Sequence, residues 1–239
     1  RAMNDMQSQA TSGWEAQRRE LGSELMRRMY EAGLFRTWLR DRAEGWELVS
    51  GIWSPFYVQC RPIPSDPALF SFVGRALGSL ITHEVPEATR LVGVAAAGVP
   101  LASAAALAMQ MPMAYTRKLP GARTLEDIDR AAEQYGEHAL VEGNFQPADR
   151  LVLVDDVVAR FTSKEVANRQ VEIELARREV RDARTVAIAV LIDREQGAAE
   201  AAKALGLKML SVVRLASEGL AMLEGIAAPR ELETIRGYL

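Results

Sequence analysis

The chain has 239 residues, with 29 Lys and Arg against 32 Asp and Glu for a formal charge of −3, and is 49% hydrophobic. That length suits one large domain or two small ones, and that hydrophobic content excludes a disordered polymer. The near-neutral charge argues against a protein built to coat nucleic acid, no apolar run reaches the ~18 residues of a membrane span, and one cysteine, Cys60, excludes an internal disulfide framework or a multi-cysteine zinc site.

No secretory signal is visible at the N-terminus, so the expected setting is the cytoplasm, and Arg1-Ala2-Met3 carries no functional weight. Residues 15 to 32 predict a helix, because Leu21, Leu25 and Met29 recur at helical spacing among Arg and Glu; Gly33 is placed to end it. Residues 46 to 60 turn aromatic and β-branched around Gly51 and Pro55, the pattern of short strands joined by a turn. Asp66 followed by Pro67 predicts the start of a helix running to about His83.

A stronger rhythm follows. Apolar runs at residues 91–95, 113–115, 151–154, 185–192 and 209–213 read as strands. They alternate with helical stretches from Gly98 to about Gln110, from about Thr162 to Val180 and from Ala198 to Leu205. Continuous apolar strands between helices predict an α/β fold, a parallel sheet covered on both faces. Such sheets bind ligands at the carboxyl ends of their strands. Residues 120 to 146 break the rhythm, but Thr124 with Asp127 resembles a capping box and predicts a short helix from Leu125 to about Gln134. The last 25 residues read as two short helices, the second beginning at Pro229.

The chemistry concentrates at Asp155-Asp156. Two adjacent acids ending a buried strand are costly unless solvated, paired or bound to a cation. The segment LVLVDDVVARFTSK runs strand, acids, loop and helix, and offers backbone N–H groups with the Thr162 and Ser163 hydroxyls to a phosphate. A strand-end acid pair facing water is the plainer reading, at roughly even odds from this segment alone.

Five segments, in order, resemble the orotate phosphoribosyltransferases of the type I phosphoribosyltransferase fold. They are LVSGIWSPFY from residue 48, GVAAAGVP from 93, Tyr115-Thr116-Arg117-Lys118, the acid-pair segment, and Asp193-Arg194-Glu195 with Gly197. The resemblance implies a central, mostly parallel sheet flanked by helices. It also implies a flexible terminus over residues 1–14, an N-terminal hood over 15–65, a core over 66–214 and closing helices over 215–239. It implies transfer of a phosphoribosyl group from phosphoribosyl pyrophosphate (PRPP) to orotate or a related pyrimidine. Arg117 and Lys118 would meet the pyrophosphate beside the loop of Ala97 and Gly98. Asp155 and Asp156 would hold the ribose hydroxyls, and Thr162 and Ser163 the 5′-phosphate. Phe56 and Tyr57 would lie beside the pyrimidine, and Arg194 would hold it. Mg²⁺ would arrive on PRPP, near Asp155 and Asp156, with no protein ligand assigned. The family's homodimer is expected, with no nucleic-acid or membrane partner.

Three departures fall on PRPP handling. Ala159-Arg160-Phe161 stands where the family has a small, glycine-containing loop. A left-handed backbone there would cost Phe161 about 1–2 kcal/mol, while Arg160 could supply a replacement phosphate contact. Glu133 falls at the position of a catalytic lysine when Tyr135-Gly136 is aligned with the family's pair, with Arg130 as a stand-in. A single unit-charge pair at 4 Å is worth about 4 kcal/mol at an effective dielectric near 20. Val49 replaces a lysine. Two readings therefore stand: an orotate phosphoribosyltransferase-like enzyme with impaired PRPP use, or a non-catalytic relative binding a nucleobase, nucleotide or partner as a regulator. Elsewhere, His83 and His138 lack metal-ligand spacing, Cys60 reads as a small buried residue, and Trp38, Trp46 and Trp53 read as core or interface.

Overall fold

A computed structural model describes residues 2–48, 51–134 and 138–239, with side chains from residue 13 onward. Helix α1 spans Ala2–Glu31, starting well before the expected residue 15. It ends as the glycine predicted: Gly33 has φ +69°, its N–H donates to the Tyr30 carbonyl, and the Leu34 N–H donates to the Met29 carbonyl. That pair of bonds is a Schellman cap, which needs a left-handed residue. The aromatic segment forms two small antiparallel ribbons. β1 (Phe35–Thr37) pairs with β4 (Phe56–Val58), and β2 (Trp46–Glu47) with β3 (Trp53–Ser54).

Helix α2 (Pro67–Glu84) begins at Asp66, whose carboxylate accepts the N–H groups of Ala68 and Leu69. The core then alternates as expected: β5 (Arg90–Gly93), α3 (Gly98–Met109), β6 (Met113–Thr116), α4 (Leu125–Gln134) and β7 (Val141–Glu142). It continues with β8 (Arg150–Val158), α5 (Thr162–Arg177), β9 (Arg184–Asp193), α6 (Ala198–Ala204) and β10 (Lys208–Arg214). Two short turns of helix, Leu215–Gly219 and Ala221–Leu223, lead to α7 (Pro229–Tyr238).

The central sheet has six strands in the order β10-β9-β8-β5-β6-β7, parallel throughout except where β7 runs against β6. Alternation along each strand splits the interior in two. Val152, Val154, Ala187 and Ala189 face one cluster shared with α1, α2 and α3. Leu151, Leu153, Ile188 and Val190 face another shared with α4, α5 and α6. Both faces are buried, which is why the strands read as unbroken apolar runs. β8 is longer than expected: the sheet ladder carries through Asp155 and Asp156 to Val158, so the acids lie within the strand rather than after it. No helix among the described residues is long and apolar enough to cross a membrane.

Candidate active site

The carboxyl ends of β5, β6 and β8 surround a cavity of about 390 Å³. Thr116, Arg117, Lys118, Asp155, Thr162 and Ser163 line it, together with Arg123 from the approach to α4. Its floor is set by backbone contacts. The Val94 N–H donates to the Val154 carbonyl, and the Ala95 N–H donates to Thr116 Oγ1, which tie the loop after β5 to both neighbouring strands. Gly98 opens α3 against β8. A methyl group there would stand 2.2 Å from the Val154 carbonyl oxygen and 3.0 Å from Asp155 Cα, so only glycine permits this approach. Ala97 faces a second, smaller cavity of about 190 Å³ with Cys60, Arg61 and Pro100.

The acid pair is asymmetric. Asp155 is 7% exposed and accepts a hydrogen bond from Lys164 Nζ at 2.5 Å. Burial pushes its carboxyl up; Lys164 opposes that rise and Asp156 adds to it, leaving it at about 6. Asp156 is half-buried and accepts the Val157 N–H. The Cys60 thiol is pushed well up by burial and by the negative charge of Asp156 and Asp155, so it is a poor nucleophile.

Thr162 and Ser163 are exposed at the N-terminus of α5, where helix N–H groups and the macrodipole favour an anion. Lys118 and Arg123 are exposed, and Arg117 lies 3.5 Å from Glu142. The main chain at Arg117 is braced by the buried Gln170, whose amide donates to the carbonyls of Arg117 and Leu140. Arg194 lies apart from this cavity. Its guanidinium sits 4.8 Å from the centre of the Phe56 ring, its N–H bonds to the Val158 carbonyl, and its Nε is buried without a partner among the described residues. Tyr57 turns the other way and stacks on Trp46, with centroids 6.1 Å apart.

The departures look different in three dimensions. Phe161 has φ −78°, so no left-handed strain arises, and its ring is buried in the α4–α5–α6 cluster rather than in the cavity. Arg160 is exposed and is not among the residues lining the cavity. Glu133 and Arg130 lie on exposed positions of α4, away from the cavity lining, and Arg130 is 3.9 Å from Asp127. Val49, Tyr135 and Gly136 lie outside the described residues. Sequence reasoning assigned no role to Lys164, Arg123 or Gln170. Lys164 closes the quoted acid-pair segment, but only the folded helix start shows that it turns back onto Asp155.

A mostly parallel sheet with flanking helices, whose strand ends bring Asp155 together with paired cations and a helix N-terminus, has the type I phosphoribosyltransferase architecture. No protein-family model matches the chain. It is 35% identical over 109 residues to an orotate phosphoribosyltransferase of Lactobacillus johnsonii, 46% of each chain, so that match spans about half the relative's length. It is 32% identical over 170 residues to an orotate phosphoribosyltransferase of Saccharolobus solfataricus, covering 70% of this chain and 74% of that one. The structure of Leishmania donovani UMP synthase superposes with a TM-score of 0.70 at 25% identity, over 91% of this chain and 42% of that one. The chain belongs to the orotate phosphoribosyltransferase family.

Proposed function

We propose that the protein transfers the phosphoribosyl group of PRPP to orotate. The observation that carries this reading is the convergence of Arg117, Lys118, Arg123, Thr162 and Ser163 on the cavity that reaches Asp155. In this reading Thr162, Ser163 and the N-terminus of α5 hold the 5′-phosphate, and Asp155 and Asp156 accept from the ribose hydroxyls. Arg117, Lys118 and Arg123 neutralise the pyrophosphate. A ring nitrogen of the base forms a bond to the anomeric carbon while the bond to pyrophosphate breaks, its electron pair leaving with the pyrophosphate oxygen. The protein's contribution is positioning and charge stabilisation rather than covalent participation.

Arg194, levelled on Phe56 with a buried donor still unspent, supports a planar anionic base on the other side of the site. Magnesium would arrive on PRPP, near Asp155 and Asp156, and would supply positive charge to offset that of the leaving group. By family, the assembly is a homodimer in the cytoplasm. The displaced positions of Phe161 and Glu133 weaken the argument for a non-catalytic relative, since neither side chain intrudes on the cavity.

Calorimetric titration of PRPP with Mg²⁺, followed by an assay of orotate consumption, tests the reading. Binding near micromolar concentration and turnover are expected. Absence of binding at millimolar PRPP would overturn it.

A further inference from the structure

The last rung between β6 and β7 is split by side chains. In an antiparallel ladder, facing residues alternate between pairs that exchange both N–H···O bonds and pairs that exchange none. β6 and β7 pair Thr116 with Val141, so Arg117 and Leu140 face each other one step further on. The Arg117 N–H donates to the Leu140 carbonyl at 3.0 Å, but the reciprocal bond is absent among the described residues. Instead the Leu140 N–H donates to Glu174 Oε2 at 2.7 Å, and the Arg117 carbonyl accepts from Gln170 Nε2 at 2.8 Å. The same Gln170 nitrogen donates to the Leu140 carbonyl at 2.6 Å.

Gln170 and Glu174 are each 4% exposed and stand one turn apart on α5. Arg178, a turn further on, pairs with Glu174 at 2.6 Å and donates to the Val141 and Gly143 carbonyls. One face of the helix therefore holds the main chain at Arg117, Leu140, Val141 and Gly143. A plain rung would satisfy the Arg117 and Leu140 main-chain groups equally well. What the side chains add is a connection to α5. Ser163, at the N-terminus of that helix, lies about 10 Å from Gln170 along the axis at about 1.5 Å per residue. Thr162 and Ser163 at one end, and Arg117 and Lys118 at the other, line the same cavity. Both N–H groups of the Gln170 amide are used on the two carbonyls, which leaves it no donor for an anion.

We propose that Gln170 is a positioning residue that sets the span between two anion subsites, one at the N-terminus of α5 and one at Arg117-Lys118, for a substrate with a phosphate group at each end. On the phosphoribosyl-transfer reading, on which this rests, those ends are the 5′-phosphate and the pyrophosphate of PRPP. A substrate tied across both subsites needs them at one separation, and a displacement of about 1 Å can cost about a hundredfold in rate. A fragment that meets one subsite follows that subsite when it shifts.

The test compares wild type with Gln170→Met, which keeps the side-chain length and removes both donors, and Gln170→Asn, which keeps the amide but falls one methylene short. With Mg²⁺ present, the affinities of ribose 5-phosphate, inorganic pyrophosphate and PRPP are measured by calorimetry, and those of the two fragments again as inhibition constants against PRPP. Both variants are expected to bind each fragment within about twofold of wild type but PRPP about tenfold or more weakly, with kcat lowered as well. A glutamine that touched the ligand itself would weaken the fragment it touches as much as PRPP, and that result overturns the proposal. Unchanged PRPP affinity overturns it. So does the loss of all three ligands together, which would make Gln170 a general support of the fold. Wild type failing to bind PRPP would overturn the phosphoribosyl-transfer reading and this proposal with it; the other results overturn this proposal alone.

Discussion

At Phe161 the backbone is helical and the ring, 6% exposed, packs among apolar side chains of the α4–α5–α6 cluster. The residue that reads in sequence as damage to a phosphate loop is an anchor for the start of α5. Phe161→Ala is therefore expected to cost about 3–5 kcal/mol in denaturant unfolding without tightening PRPP binding. A gain in affinity on removing the ring would contradict this. Arg123, passed over in sequence, lines the cavity from an exposed position. Arg123→Ala is expected to weaken PRPP binding about tenfold with little change in stability, as a lost charge-assisted hydrogen bond would. The matched motif residues were legible because each group sits at fixed offsets within one short segment, a strand end and the turn after it. Lys164 and Arg123 were not, because a lysine after Ser163 or an arginine before Thr124 looks like any solvated charge until the chain folds back.

Among the elements, α4 shows how well a local signal can be read. The Thr124–Asp127 pair forms the expected cap: Asp127 Oδ2 accepts the N–H groups of Arg123 and Thr124, and the Asp127 N–H donates to Thr124 Oγ1. The helix then spans Leu125–Gln134 as predicted. Its docking was not legible. Ile128 and Ala132 are buried, Arg169 pairs with Asp129 at 2.9 Å, and Arg177 donates to the Ala132 carbonyl, all against α5. Capping chemistry is local, whereas docking depends on a helix some forty residues on. The exposed ion pair contributes about 0–1 kcal/mol, so the buried side chains carry most of the attachment. Ile128→Ala is expected to lose about 2–5 kcal/mol of packing. Faster amide hydrogen exchange confined to α4 would register it, and uniform exchange across the sheet would argue against local docking.

Across the whole molecule, the strand rhythm disclosed the layered α/β core, because strands covered on both faces have no reason to carry polar residues. The closure of the two chain ends left no such pattern. Buried Arg18 on α1 donates to both carboxylate oxygens of Glu218 at 2.6 and 2.9 Å, across 200 positions. Burial pushes the Glu218 carboxyl up, but Arg18 and the Arg214 N–H and side chain outweigh it and hold it at about 2, against an ordinary 4.5. A depressed carboxyl stabilises the fold above its unfolded value, and that contribution fades as pH falls from about 4.5 toward 2. Arg18→Met leaves Glu218 buried and unpaired by its main partner. It is expected to cost about 3–5 kcal/mol and to move the acid-unfolding midpoint upward, measured by circular dichroism against pH. An unchanged midpoint would show that Arg214 alone suffices.

The last helix closes the first ribbon in the same way. Glu231 on α7, 2% exposed, accepts from the hydroxyls of Tyr30 and Thr37 and from the Ala228 N–H, while Tyr238 stands edge-on to Phe56, with centroids 5.9 Å apart. The ring that supports Arg194 is thus backed by a residue at the far end of the chain. On the ribosome, Tyr30 and Glu231 are separated by 201 positions, roughly 10–40 s of synthesis at about 5–20 residues per second. For that interval Phe56 lacks the Tyr238 ring at its edge. The nascent chain's exposure therefore lasts until α7 emerges, and slowing translation of that stretch would lengthen the vulnerable period without altering a single contact of the folded protein.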